Sequence, residues 1–372
     1  MEKKVVVISG QNCTSGGILS IYEDFLLELS KKDNIKIFAI VNSKKLFKNK
    51  DEKITYIEIP KSKKSWLLRL FYEYIWFYFL SKKIKSDLWI SMHDITPNVK
   101  TKKLITYCHN PSPFYKFKWT DFFLDWKFGL FTLFYSSLYS INIKKNDHVI
   151  VQQVWIKKEF EQRFNINNVI VSKPANDFLD NIKGCKNPRE FESNESFKFF
   201  YPSYPRVFKN FEVICEAVKI IESSGDFNFS VLITVDGYEN RYANKLYNRY
   251  GTVKNIIFSG LMSREEVFDY YNQCDVLIFP SKLETWGLPI SEFKAYNKPM
   301  ILANEKYTKE TIAGYDKVIL FESNDAHALA RIMINFILKN KVLFNNYKKD
   351  INQDENDKFV FGDWISLIDF IV

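Results

Sequence analysis

Cysteine, glycine and proline are all scarce in this chain, at 5, 12 and 11 of 372 residues. The five cysteines (Cys13, Cys108, Cys185, Cys215, Cys274) are odd in number and scattered, with no pair at metal-ligand or redox spacing. That excludes a disulfide scaffold or a zinc module and fits a reducing cytosol. Low glycine and proline, with no low-complexity tract, exclude collagen-like and long disordered architectures, and 46% hydrophobic residues are enough for a chain that folds throughout. Long apolar runs are missing too. Met1-Glu2-Lys3-Lys4 leads into Val5 to Ile8, which is too brief for a signal-peptide core and has no cleavage site, so secretion is not expected.

Positive charge and aromatic rings, in contrast, are plentiful. Lys plus Arg outnumber Asp plus Glu by 53 to 44, a net +9, and aromatics reach 17%. Lysine dominates, with no arginine-rich stripe and no recognisable nucleic-acid module, so no nucleic-acid partner is expected. The aromatics concentrate in two lysine-flanked stretches, Trp66 to Leu80 and Phe114 to Tyr139. The first is about fifteen residues and carries Arg69 and Glu73; the second is broken by Lys116, Lys118, Asp121, Asp125 and Lys127, so neither suits a transmembrane span. Two readings stand side by side: helices lying on an anionic membrane surface, or interior helices of a domain.

Length suggests two α/β domains. The opening reads as strand, glycine-bearing loop and helix: Val5 to Ile8, then Ser9 to Gly17, then Ile18 to Ser30. Ile35 to Val41, Asp87 to Ser91, Lys103 to Cys108 and His148 to Gln152 continue a parallel sheet. The chain turns polar after Ser172, and we assign 1–176 to a first Rossmann-like domain and 177–195 to a linker. A second series, 196–357, alternates strand and helix through Phe197–Tyr201, Asn210–Ser223, Phe229–Val235, Glu239–Tyr250, Asn255–Ser259, Arg264–Gln273, Asp275–Pro280, Pro289–Tyr296 and Pro299–Ala303. This predicts a doubly wound sheet. The tail 358–372, apolar at helical spacing, is expected to return to the first domain.

The most informative stretch begins at Asp275. An apolar strand ends at Pro280, a loop carries Glu284 and Gly287, and Pro289 suits the first turn of a helix that contains Glu292. Ligands of such sheets bind at strand C-terminal ends and helix N-termini. A carboxylate in a first helical turn can accept two hydroxyl hydrogen bonds, as from a ribose, and the free backbone N–H groups around Gly287 to Ile290, a turn that includes Leu288 and the N–H-less Pro289, can hold a diphosphate. On the residues alone, Glu292 reads equally as a charge favourable to the helix dipole, and Glu284 as a solvated loop residue.

This stretch resembles the pattern of retaining glycosyltransferases of family 4, which have the GT-B fold. There a Pro-Ser follows a strand, and two glutamates with seven residues between them enclose an aromatic-Gly-Leu-Pro; Glu284 and Glu292 match. The resemblance implies that Glu284 contacts the donor sugar and Glu292 the ribose. It further implies that Arg206 and Lys209, at the turn after Phe197 to Tyr201, hold the donor diphosphate, which suits a bidentate fork and a point charge. Gly16 and Gly17 correspond to the family's glycine loop, where amides approach a phosphate. His109, in Cys108-His109-Asn110-Pro111, takes the place of a histidine facing the donor sugar; His93, His148 and His327 are read as structural. The sequence departs at Pro205, usually glycine, in the glycine-poor first loop, and at Phe293-Lys294, usually Ala-Met.

The implied reaction is front-face substitution with retention, in which Arg206 and Lys209 stabilise the leaving diphosphate. With no Asp-x-Asp motif, neither a metal nor another cofactor is expected. The implied donor is a nucleotide sugar, with UDP favoured and GDP or dTDP open. The expected acceptor is a polyprenyl-diphosphate-linked oligosaccharide of O-antigen or capsule type, and the expected location is cytoplasmic, peripheral on the inner leaflet. Competing readings are a GT-B sugar-nucleotide epimerase or phosphorylase and a non-catalytic membrane-associated scaffold.

Overall fold

The computed structural model describes residues 3–14, 16–47, 50–115, 119–174, 196–340, 344 and 359–372. The proposed linker 177–195 lies outside the described residues, as does Cys185. In chain order the strands among the described residues are β1 (Lys4–Ser9), β2 (Ile35–Val41), β3 (Ile54–Glu58), β4 (Leu88–Ser91), β5 (Lys103–Tyr107), β6 (His148–Val151) and β7 (Val169–Ser172). They continue as β8 (Phe197–Tyr201), β9 (Phe229–Ile233), β10 (Ile256–Phe258), β11 (Val276–Phe279), β12 (Met300–Ala303), β13 (Val318–Phe321) and β14 (Val360–Phe361).

The chain divides into two compact units, each a doubly wound α/β layer structure of Rossmann-like character. One comprises Met1–Phe114, Leu133–Ala175 and Asp354–Val372; the other comprises Tyr115–Thr132 and Asn176–Gln353. Chain order alone would leave 115–132 with the first unit, but its packing groups it with the second.

The first unit is an eight-stranded parallel sheet in the order β14-β7-β6-β5-β4-β1-β2-β3. Its inner strands are buried along their whole length: every residue of β4 and β7 is buried, apolar but for the closing Ser91 and Ser172. The tail joins this unit. Val360 and Phe361 pair with Val171 and Ser172, and the helix Trp364–Ile371 starts on Asp363, whose side chain accepts from the Ser366 amide at 2.7 Å. That helix buries Trp364, Leu367, Ile368 and Ile371, each contributing roughly 1.5–3 kcal/mol of apolar burial. Trp364 sits edge-on to Phe25 at 5.2 Å.

The stretch Trp66 to Leu80 forms a continuous helical rod: α-helix Trp66–Phe71, a π turn Tyr72–Trp76 and α-helix Phe77–Ile84. Ser65 caps its start, and left-handed Lys85 closes it. One side is buried, with Phe77 and Glu73 at 0% exposure, while Leu67 is 80% and Phe79 63% exposed on the other. The interior reading thus holds for one face of the rod, and the opposite face is exposed.

The second unit is a six-stranded parallel sheet in the order β10-β9-β8-β11-β12-β13. The chain lays strands to one side of β8 and then crosses to the other side, so the order reverses between β8 and β11. This is the topological switch point where such sheets open a crevice at their C-terminal edge. Four strands, β3, β7, β13 and β14, go beyond the sequence reading. β3, β13 and β14 lie at sheet edges and are partly exposed, whereas β7 is buried between β14 and β6.

Candidate functional site

Two loops meet at the switch point of the second unit, one after β8 and one after β11. The Lys282 amide donates to the Phe208 carbonyl at 2.8 Å. Asn210, left-handed at φ 58, sends its side-chain amide to the carbonyls of Pro280 (3.2 Å) and Ser323 (2.7 Å). Tyr201, at the end of β8, donates its hydroxyl to the Lys209 carbonyl at 2.9 Å. These bonds fix where Lys209 and Glu284 start, and the two side chains meet in a 2.5 Å ion pair that is largely shielded from solvent. Lys209 Nζ also lies 5.5 Å from the Phe208 ring centroid and 5.8 Å from that of Phe279, an arrangement that favours a cation.

Arg206 lies on the same loop and stays 40% exposed, with Nη1 2.7 Å from Asp125 Oδ2 and its guanidinium over Tyr204. Asp125 belongs to the segment 115–132, which also packs Phe128 against Phe208 at 4.9 Å. Asp125 was visible in the sequence only as a charge interrupting an aromatic stretch; no local signal ties it to a residue 81 positions on.

Beyond Glu284 the chain turns through Gly287 at φ 83 and ψ 59. This is left-handed backbone, where a Cβ would be strained and would also come within 3.2 Å of Ile290. Gly287 caps the helix Leu288–Lys294, with Pro289 in its first turn. Two expectations need correction. Glu292 is the fifth residue of that helix and so lies in the second turn, because the helix begins at Leu288. The Ile290 amide is not free: it donates to the Gly287 carbonyl at 2.9 Å.

Glu292 is buried, and burial raises its pKa above the ordinary carboxylate value against the opposing pull of Arg264 and Tyr271. The Tyr271 hydroxyl donates to Oε2 at 3.2 Å, and Arg264 Nη2 lies 3.6 Å from Oε1. Desolvation penalises the charge and so strengthens any hydroxyl that comes to solvate it. The fold therefore brings Arg206, Lys209, Glu284, Gly287, Leu288, Pro289 and Glu292 to one edge of one sheet, with two cations and two carboxylates in reach of that crevice. Such a set can neutralise a phosphate anion and bind hydroxyl groups.

Gly16, Gly17 and His109 belong to the other unit. Gly16 and Gly17 open the helix Gly16–Ser30 after β1, and His109 follows β5, its side chain mostly buried and its amide bonded to Asp94. The first unit has its own switch point between β1 and β4. There Gln11 donates to Glu73 Oε1 at 2.6 Å, and His93 Nε2 lies 2.9 Å from Gln11 Oε1 and 3.2 Å from Glu73. Burial, and secondarily Arg69, hold the His93 pKa well below its ordinary value. The ring is neutral, so its contact with Glu73 is not an ion pair, and Nε2 carries the proton donated to Gln11. Burial also pushes the Glu73 carboxyl up to about 8, opposed by Arg69 and Gln11.

Residues 186–355, just under half of the chain, match the family model described as glycosyl transferases group 1. A curated relative, an uncharacterized 41.2 kDa protein in the cps region of Klebsiella pneumoniae, is 21% identical over 198 residues. That match covers 53% of this chain, which thus spans about half (51%) of the relative's length. Among solved structures, WaaG, a glycosyltransferase involved in lipopolysaccharide biosynthesis, superposes with TM-score 0.67 at 10% identity over 99% of both chains. A glycosyltransferase from Rickettsia africae gives 0.58 at 19% identity, covering 91% of this chain and 89% of its own. The Anabaena protein Alr3699/HepE, solved with UDP-glucose, gives 0.54 at 14% identity over 90% of each. The fold is GT-B.

Proposed function

We propose that this chain is a retaining glycosyltransferase that takes a nucleotide-sugar donor at the switch point of its second unit. The observation that carries the reading is the shielded Lys209–Glu284 pair, with Arg206 on the same loop and Glu292 on the helix that follows. In the reaction the bond from the anomeric carbon to the donor diphosphate breaks while the acceptor hydroxyl bonds to that carbon on the same face. The hydroxyl proton leaves with the diphosphate. Negative charge grows on the leaving group, and Arg206 and Lys209 stabilise what develops there. Glu284, released from Lys209 by the incoming diphosphate, turns to the hydroxyls of the sugar, and Glu292 holds the ribose. Gly16 and Gly17 would give the donor a close backbone approach, and His109 would act at the transferred sugar. The cations take the part that a divalent metal plays elsewhere, and the reading requires none.

The group 1 match over the second unit supports the activity. The relative encoded in a cps region supports a surface-glycan product, and the likeness to a protein solved with UDP-glucose favours UDP over GDP or dTDP. For the acceptor we propose an oligosaccharide on a polyprenyl diphosphate, met at the inner leaflet. No helix among the described residues is long and apolar enough to cross a membrane, so contact would be made by the exposed side of the 66–84 rod. Trp66, Leu67, Phe71, Ile75 and Phe79 stand exposed there, between exposed Lys63 and Lys64 at one end and Lys82, Lys83 and Lys85 at the other.

A metal-free thermal-shift screen against UDP-, GDP- and dTDP-sugars, on the wild type and Glu292→Ala, tests the donor site. One nucleotide class should stabilise the wild type, by about 2.7 kcal/mol at a hundred times its Kd, and the variant much less. No stabilisation at millimolar concentration by any of the three would remove the donor-site reading and leave the non-catalytic scaffold.

A further inference from the structure

Asp94 follows His93 in the turn after β4 and has left-handed backbone, φ 74. It is 5% exposed, and a carboxylate that deep is costly unless its lone pairs are filled. Here they are filled by the loop after β5 and by two tyrosines of the helix Trp126–Ser140. Oδ1 accepts from the backbone amides of His109 at 2.8 Å and Asn110 at 2.9 Å and lies 3.0 Å from the Tyr139 hydroxyl. Oδ2 accepts from the Tyr135 hydroxyl at 3.2 Å and lies 3.5 Å from His109 Nε2. The Asp94 amide donates to the Tyr107 carbonyl at 3.1 Å, on the strand that leads into His109. A turn could be tied down by a single amide contact. This carboxylate takes two consecutive amides with one oxygen and faces the imidazole between them with the other.

We infer that Asp94 is the positioning residue of His109: Oδ1 fixes the backbone of residues 109–110, and Oδ2 aims the imidazole. The inference rests on the role assigned to His109 above, and the two oxygens can be tested separately. Asparagine tolerates left-handed backbone nearly as well as aspartate. Asp94→Asn therefore keeps the turn and one accepting oxygen for the amides, and it replaces the oxygen that faces His109 and Tyr135 with an NH₂ group that cannot accept. Asp94→Ala removes both oxygens.

The test combines hydrogen–deuterium exchange over residues 107–112 with turnover of the nucleotide sugar that best stabilises the wild type, read as release of nucleoside diphosphate. Asp94→Asn should keep the His109 and Asn110 amides protected and the donor KM within twofold while lowering kcat at least thirtyfold. Asp94→Ala should speed exchange at those amides at least tenfold. Wild-type turnover in Asp94→Asn overturns the inference, as does retained protection in Asp94→Ala. A loss of kcat accompanied by an equal loss of nucleotide binding in Asp94→Asn also overturns it, since that is the mark of general unfolding. His109→Ala with wild-type kcat would instead sink the role of His109 itself, and the exchange result would still decide whether Asp94 holds the loop.

Discussion

Charged residues in this protein acquire their meaning from partners distant in sequence. Arg206 is paired with Asp125, so on the proposed reading a diphosphate must displace that carboxylate before it gains the guanidinium. A partly exposed pair of this kind is worth about 0.2–1 kcal/mol. Asp125→Asn should therefore tighten binding of the free nucleoside diphosphate by up to about fivefold, measured by titration calorimetry at low salt; unchanged affinity would mean that Arg206 does not reach the ligand. Glu73 is a second case. Its carboxyl is raised to about 8, above the ordinary value near 4.5, so between those limits the folded chain holds a proton that the unfolded chain has released. The stability this contributes is complete below the ordinary value and declines as pH rises towards 8. Glu73→Gln keeps an acceptor for Gln11 and cannot titrate. Its melting temperature relative to wild type should rise between pH 5 and pH 8, and a flat difference would show that Glu73 does not titrate in that range. Neither partner was readable in advance: Glu73 and Asp125 both look, in sequence, like charges that spoil an apolar run.

The rod from Trp66 to Ile84 shows what an element adds to its residues. Its aromatic density is evident in the sequence, but which rings face solvent depends on helical phase, and the π turn at Tyr72–Trp76 shifts that phase midway. The result is a rod whose inner side carries Arg69 and Glu73 towards the loops after β1 and β4, while its outer side presents Leu67, Phe71, Ile75 and Phe79. Leu67→Glu with Phe79→Glu should leave the fold intact, because both side chains are exposed, and should cut sedimentation with anionic-lipid vesicles at least fivefold. Wild-type protein remaining wholly in the supernatant would count against the membrane assignment. The helix after Gly287 is an element that was legible almost to the residue: glycine, proline and an apolar strand before them are local signals. Its start was misread by the one residue that moves Glu292 from the first turn to the second, and its end by two, at Lys294 rather than Tyr296.

For the molecule as a whole, the tail gives the sharpest prediction. Residues 359–372 supply an edge strand and a helix that buries four side chains in the first unit. Truncation after residue 358 should expose Tyr107 and Phe25, which pack on Trp364, and should destabilise the first unit by several kcal/mol. Differential scanning calorimetry should show one transition lowered and the transition of the second unit unmoved; two unmoved transitions would make the tail dispensable. The sequence by itself determined the parallel α/β character, most central strands, and the candidate loop from Pro280 to Glu292. Each of these is written in short-range patterns of apolar runs, turn residues and glutamate spacing that depend on a few neighbouring positions. Only the tertiary structure decided that Lys209 meets Glu284, that Asp125 occupies Arg206, that 115–132 packs with the second unit, and that Asp94 gathers the His109 loop. Those contacts join positions from 15 to 81 residues apart, and such pairs are chosen by strand order and packing, which no local window contains.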